Sequence, residues 1–171
     1  ESRWIVLETQ GVSDLEAMLA GLARSAVDWP YTVGWIDCLA RGQGLGRGIL
    51  MRGRHASRVE TGTRHPRRPL PLRVPYDAPE WLLNPHFMRW FNRLYAWRHG
   101  TALKRRLVSY DAFFYPLDAV AGWNRLYGPR GFLQYQCVLP RAAGAPPLAT
   151  ILARLGGSGA APFLAVSTDC G

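Results

Sequence analysis

Two stretches rich in β-branched and aromatic residues, Tyr31–Leu39 (YTVGWIDCL) and Ile49–His55, stand on either side of a glycine-rich run, Arg41–Gly48 (RGQGLGRG). That spacing predicts a β-hairpin over 31–55 and so commits the chain to an antiparallel sheet. Arg3–Glu8 (RWIVLE) reads as a strand before it. Between the two, Leu15, Met18, Leu19 and Leu22 recur at helical spacing behind Ser13 and Glu16, a capping-box pattern, which predicts a helix over about 14–26. Asn84-Pro85 opens a second helix, with Phe87, Phe91, Leu94 and Tyr95 as its core stripe and Gly100 as its stop. A strand around Leu103–Phe114, a short helix from Pro116 and Asp118 through Leu126, a strand over Phe132–Leu139 (FLQYQCVL), a helix over Pro146–Leu155 and a last strand beginning at Phe163–Val166 complete the reading. Strands and hairpins mixed with helices predict an α+β class: an antiparallel sheet flanked by helices, with the helices on one face.

At 171 residues the chain has the size of one domain, 1–171, with no internal repeat and no second core. Its texture changes once. Over 61–79, prolines at 66, 69, 71, 75 and 79 alternate with Arg64, Arg67, Arg68 and Arg73, which predicts an extended, mobile loop. Apolar residues make up 48% and charged residues 19% of the chain, which excludes wholesale disorder. No apolar run reaches the roughly 20 residues of a membrane span. No basic stretch followed by an apolar one opens the chain, so no signal peptide is expected, and a start at Glu1 reads as a segment of something longer. The expected location is cytoplasmic or peripheral to the cell membrane.

Charge is the feature that points outward. Lys+Arg is 21 against Asp+Glu 12, a net +9, and of the 21 only Lys104 is lysine. Arginine grips phosphate bidentately, so nucleic acid, an anionic membrane surface or a phosphorylated ligand all suit this balance. GC-rich coding gives the same Arg:Lys ratio without any function. Cys38, Cys137 and Cys170 are odd in number and lack zinc-ligand spacing, so a reducing compartment is expected and no metal site.

The motifs are weighed one by one. Gly42–Gly48 is G-x-G-x-G-x-G, with Arg47 where a dinucleotide fingerprint needs its third glycine, so a flexible turn is favoured over a phosphate cradle. Within 132–139, alternation puts Gln134 and Gln136 on one face, where two neutral amides suit sugar hydroxyls, unless that face is solvent. Asp118 reads as a helix cap, Tyr115 as core or pocket rim, and Arg125 as a phosphate holder or a solvated side chain. His55, His65, His86 and His99 are scattered, and no nucleophile–base ordering or paired carboxylate stands out. The aromatics of 87–97 fall at core spacing, which favours packing over nucleic-acid stacking.

YTVGWIDCLARGQGLGRGILMRGRHA (31–56) and FFYPLDAVAGWNRLYGPRGFLQYQCVLP (113–140) resemble the substrate (cap) domain of FAD-linked oxidoreductases of the vanillyl-alcohol-oxidase type, in the group of decaprenylphosphoryl-β-D-ribose 2′-oxidase and related to aldonolactone oxidases. The resemblance runs over about residues 1–166. It implies a cap built on an antiparallel sheet with flanking helices, and a separate FAD-binding domain that this chain does not contain. It implies oxidation of the C2′ hydroxyl of a polyprenyl-phosphoryl ribose to the keto sugar for cell-wall arabinan synthesis, with a partner reductase completing an epimerisation. Trp35, Tyr115, Gln134 and Gln136 match positions lining the substrate pocket, Arg125 and Leu117 match positions near a mobile loop over it, and 61–79 matches a long loop at the lipid entrance. No catalytic residue is carried over. The family's last strand continues into a lysine-containing segment, whereas Ser167-Thr168-Asp169-Cys170-Gly171 stand here. The expectation is a substrate-binding part that is inactive without its FAD half, contacting a polyprenyl-phosphate sugar lipid and the membrane periphery, with nucleic acid disfavoured. The alternatives are a non-catalytic fragment binding a polyanion, nucleic acid or anionic lipid, and part of an aldonolactone or alditol oxidase.

Overall fold

A computed structural model describes residues 2–63, 72–79, 85–128, 134, 136–140, 143–157 and 165–168. Strand β1 is Trp4–Val12, helix α1 Leu15–Ser25, β2 Tyr31–Ile36, β3 Gly48–His55, α2 Arg58–Thr61, β4 Leu72–Arg73, α3 Pro85–His99, β5 Lys104–Ser109, α4 Tyr110–Phe114, β6 Val120–Ala121, α5 Ala145–Gly157 and β7 Ala165–Thr168.

The hairpin forms: β2 and β3 pair antiparallel from Tyr31↔Gly53 to Ile36↔Gly48. Its connection contains a 3-10 turn at Gly42–Gly44, and Gly46 has φ +79 with the Leu15 backbone where a Cβ would sit. The Leu15 N–H donates to the Leu45 carbonyl at 2.9 Å, so the glycine-rich run docks on the start of α1. β1 pairs antiparallel with β3 on one side and β5 on the other. β7 lies antiparallel beside β2. The sheet order is β5-β1-β3-β2-β7, and the α+β class with an antiparallel sheet is as expected.

Alternation decides the layers. Ile36 and Leu50 share one face with the buried α1 residues Leu15, Met18 and Leu22, Cys38 of the following loop and Leu152 of α5. Each such side chain contributes roughly 1.5–3 kcal/mol by burial. Trp35 is one residue out of phase and meets Tyr95 of α3 edge-on, ring centroids 5.0 Å apart. Tyr31, on that same side, meets Phe113 and Phe114 of α4 at 6.0 and 4.8 Å. The helices therefore cover both faces, not one: the sheet's central strands carry adjacent buried pairs, Ile49 with Leu50 and Trp35 with Ile36, and each face needs its own cover.

Local details differ from expectation in four places. The α1 cap is Asp14, accepting from the Ala17 N–H at 2.8 Å, while the Ser13 hydroxyl donates to Asp14 Oδ2 at 2.6 Å. A capping box does form, at Ser57 and Glu60 of α2. The expected strand 103–114 ends at Ser109, whose hydroxyl caps α4. Asp118 lies inside a 3-10 turn, Pro116–Ala119, and does not cap it. Gln134 and 136–140 are irregular instead of strand, and the rest of that expected strand, 132, 133 and 135, lies outside the described residues. The place beside β2 is taken by β7. Of the expected 61–79 loop, 64–71 also lie outside the described residues, while Thr61 closes α2 and Leu72–Arg73 form β4. Among the described residues no helix is long and apolar enough to cross a membrane.

Candidate functional site

The most constrained polar group sits where β2 ends. Asp37 is 1% exposed. Its Oδ2 accepts two hydrogen bonds from Arg47, from Nε at 3.0 Å and from an Nη at 2.6 Å. Its Oδ1 accepts the Leu39 N–H at 3.1 Å and Asn92 Nδ2 at 2.7 Å. One carboxylate thus joins β2, the glycine-rich run and α3. A buried charge is tolerated only with such partners. Asn92 Oδ1 is buried and accepts no hydrogen bond. Trp35 lies two residues back along the strand, 6% exposed beneath Tyr95. Burial raises the pKa of Tyr95, with a nearby Arg106 opposing the shift.

At the other end of the same face His55 Nδ1 lies 2.9 Å from the Ser2 carbonyl and Nε2 lies 3.2 Å from the Tyr31 hydroxyl. A carbonyl only accepts, so Nδ1 carries the proton and Nε2 takes the Tyr31 O–H. Around them Tyr110 packs on Phe114 at 4.5 Å and lies 6.3 Å from Tyr115. A Cβ on Gly53 would run into the Phe113 ring.

The six residues carried over from the resemblance fall in four places. Trp35 is under α3. Tyr115 and Leu117 are about half exposed on the turn after α4. Arg125 Nη1 donates to the Pro75 carbonyl at 2.5 Å, and its carbonyl accepts the Ala78 N–H, so this arginine ties the 123–127 turn to the 72–79 segment. That segment also pairs through β4 with β6 in parallel. Gln134 and Gln136 are exposed. Among the described residues no hydrogen bond or ring contact joins any two of the six.

A cleft of about 370 Å³ opens between the loop after β2 and α5, lined by residues that include Arg41, Gly42, Leu45, Leu152 and Gly156. Arg41 donates to the Gly156 carbonyl across it. On the α1 face, beyond the helix, Glu8 lies 4.0 Å from Arg52 and 3.8 Å from Arg105, and Glu60 holds Arg54 at 2.6 Å and Arg105 at 3.2 Å. Arg54 also stands 5.9 Å over the Trp29 ring. Part of the arginine excess is therefore committed to internal pairs. Sequence reading missed Asp37, Arg47 and Asn92 as partners. The trace of the link is Arg47, a charged residue near the end of the glycine-rich run.

No protein-family model matches the chain. It is 30% identical over 125 residues, 70% of its length, to the decaprenylphosphoryl-beta-D-ribose oxidase of Mycolicibacterium smegmatis. It is 28% identical over 137 residues, 74% of its length, to a Streptomyces coelicolor protein described as the uncharacterized protein in the mprA 5′ region. The matches span 27% of the first relative and 37% of the second. The chain is a distant relative of part of an oxidase, decaprenylphosphoryl-β-D-ribose oxidase.

Proposed function

We propose that this chain is the substrate-binding part of an FAD-dependent oxidoreductase that oxidises the C2′ hydroxyl of a polyprenyl-phosphoryl ribose. The observation that carries the reading is the 30% identity to an oxidase of that substrate over 70% of the chain. The FAD belongs to a part of the enzyme outside this chain. Among the described residues neither Trp35, covered by Tyr95, nor the glycine-rich run, docked on Leu15, is open to a flavin. The role left to this chain is to bind and orient the sugar lipid. In that role Gln134 and Gln136 offer amides to sugar hydroxyls, Tyr115 and Leu117 form the rim, Trp35 supports the floor, and Arg125 holds the 72–79 segment in place. A partner reductase and contact with the membrane periphery follow from the same reading.

The test joins the chain to the FAD-binding part of the same enzyme and follows loss of the oxidised-flavin absorbance on adding polyprenyl-phosphoryl ribose. Reduction is expected. Gln134→Ala and Gln136→Ala should each raise KM by about 3- to 10-fold, the worth of one neutral hydrogen bond. Reduction by aldonolactones but not by the ribose lipid would overturn the substrate, and reduction by no sugar would overturn the reading.

A further inference from the structure

Helix α3 carries two stripes at the same spacing. Met88, Asn92 and Tyr95 face the sheet, the first two almost wholly buried. Trp90, Leu94 and Trp97, also at i, i+4 and i+7, lie on the opposite side and are 58%, 42% and 79% exposed. Two large indoles on a water-facing helix side are out of place on a surface that only meets solvent. Their neighbours say what they meet. On a helical projection Arg89 and Arg93 flank the stripe on one side and Arg98 on the other, all exposed. Lys104 Nζ donates to the Arg98 carbonyl at 2.9 Å and brings a fourth cation to the helix end. There is no Asp or Glu from Pro85 to His99, and among the described residues none of the three arginines forms an ion pair.

We propose that the outward face of α3 is a docking surface for an anionic lipid bilayer, lying in the interfacial plane with Trp90, Leu94 and Trp97 inserted and Arg89, Arg93 and Arg98 on the headgroups. Three observations favour a bilayer over another macromolecule. The apolar residues form a single continuous stripe along the helix, which fits a plane. The indole ring is apolar in body with an N–H for the headgroup layer. Exposed arginines flank the stripe on both sides, where long cationic side chains are able to reach headgroups. Base stacking would call for rings spread over a groove. This surface is separate from the substrate residues and does not depend on the oxidase reading.

The experiment uses the 171-residue chain. Co-sedimentation is measured with vesicles of phosphatidylcholine alone and of phosphatidylcholine with phosphatidylglycerol, and tryptophan quenching with brominated lipids gives depth. Binding to the anionic vesicles at least tenfold tighter than to the neutral ones is expected, with quenching. Trp90→Ser with Trp97→Ser should abolish quenching and weaken binding at least tenfold. Arg89→Gln, Arg93→Gln and Arg98→Gln together should erase the preference for anionic vesicles. Arg24→Gln, Arg58→Gln and Arg154→Gln remove the same charge elsewhere and should leave at least half the affinity. All the substituted side chains are exposed, and an unchanged urea transition certifies the fold of each variant. Overturning results are absence of binding, equal loss in both arginine triples, full binding by the tryptophan variant, or tighter binding to single-stranded DNA that the same tryptophan substitutions destroy.

Discussion

Single side chains in this molecule matter most where a charge has been taken out of water. Arg47→Ala would leave the Asp37 carboxylate buried with only the Leu39 N–H and Asn92 amide. A loss of about 3–5 kcal/mol is expected from the urea midpoint. Replacing all three, Asp37→Leu with Arg47→Met and Asn92→Leu, should recover part of that loss, because the unpaired charge and the amide that served it are both removed. Glu60 behaves differently, since it is at the surface. Its hydrogen bond from Arg54, then those from Ser57, pull its pKa from the usual 4.5 to about 2. A depressed carboxylate stabilises fully above its unfolded value and loses that contribution as the proton binds. Stability should therefore fall between pH 4.5 and about 2, and Glu60→Gln should flatten that acid limb, as read from thermal midpoints against pH. Cys38 is the opposite case: burial first, then the Asp37 charge, push its thiol up to about 11. Alkylation at pH 8 should spare Cys38 until denaturant is added while exposed Cys137 reacts, as site-mapping mass spectrometry would read.

Elements show which parts of the pattern can be read locally. α1 has one apolar stripe and ends about where the periodicity does, so its position is legible. Its cap is not, because Ser13 and Asp14 are adjacent and both are able to cap. Asp14 wins the Ala17 N–H, and Ser13 only orients it. Asp14→Ala should cost about 1 kcal/mol in denaturant titration, and Ser13→Ala much less. α3 resists reading for a stronger reason. Of the expected core stripe Phe87, Phe91, Leu94 and Tyr95, Phe91 and Leu94 are exposed, and the helix is buried instead through Met88 and Asn92, with Trp90, Leu94 and Trp97 facing out. Asn92 turns inward because its amide has the Asp37 carboxylate to donate to, 55 positions away in the chain. The expected strand over 132–139 fails differently. Its alternation suits a strand, yet alternation names no partner strand, and the strand beside β2 is β7.

For the whole molecule, the sheet order places β1 and β3 inside and β5 and β7 at the edges. Amide exchange should be slowest in Ile5–Leu7 and Ile49–Met51 and fastest among the strands of this sheet in Ala165–Thr168, which among the described residues pairs on one side. Uniform protection across all five strands would contradict this layering. The net +9 of the sequence resolves into two populations on this frame. Arg47, Arg52, Arg54 and Arg105 answer internal carboxylates, while among the described residues the arginines of α3 form no ion pair and stand beside exposed indoles. Composition supplies the total and leaves that division open.

From the chain alone, the hairpin of 31–55, the first helix, the glycine stop at residue 100 and the α+β class are already set, because each rests on spacing between near neighbours. Tertiary structure decides the rest: which face of α3 is buried, that helices cover both sides of the sheet, that Arg47 and Asn92 serve Asp37, and that Arg125 grips Pro75. Each of these depends on a partner far along the chain, whose arrival no local period encodes.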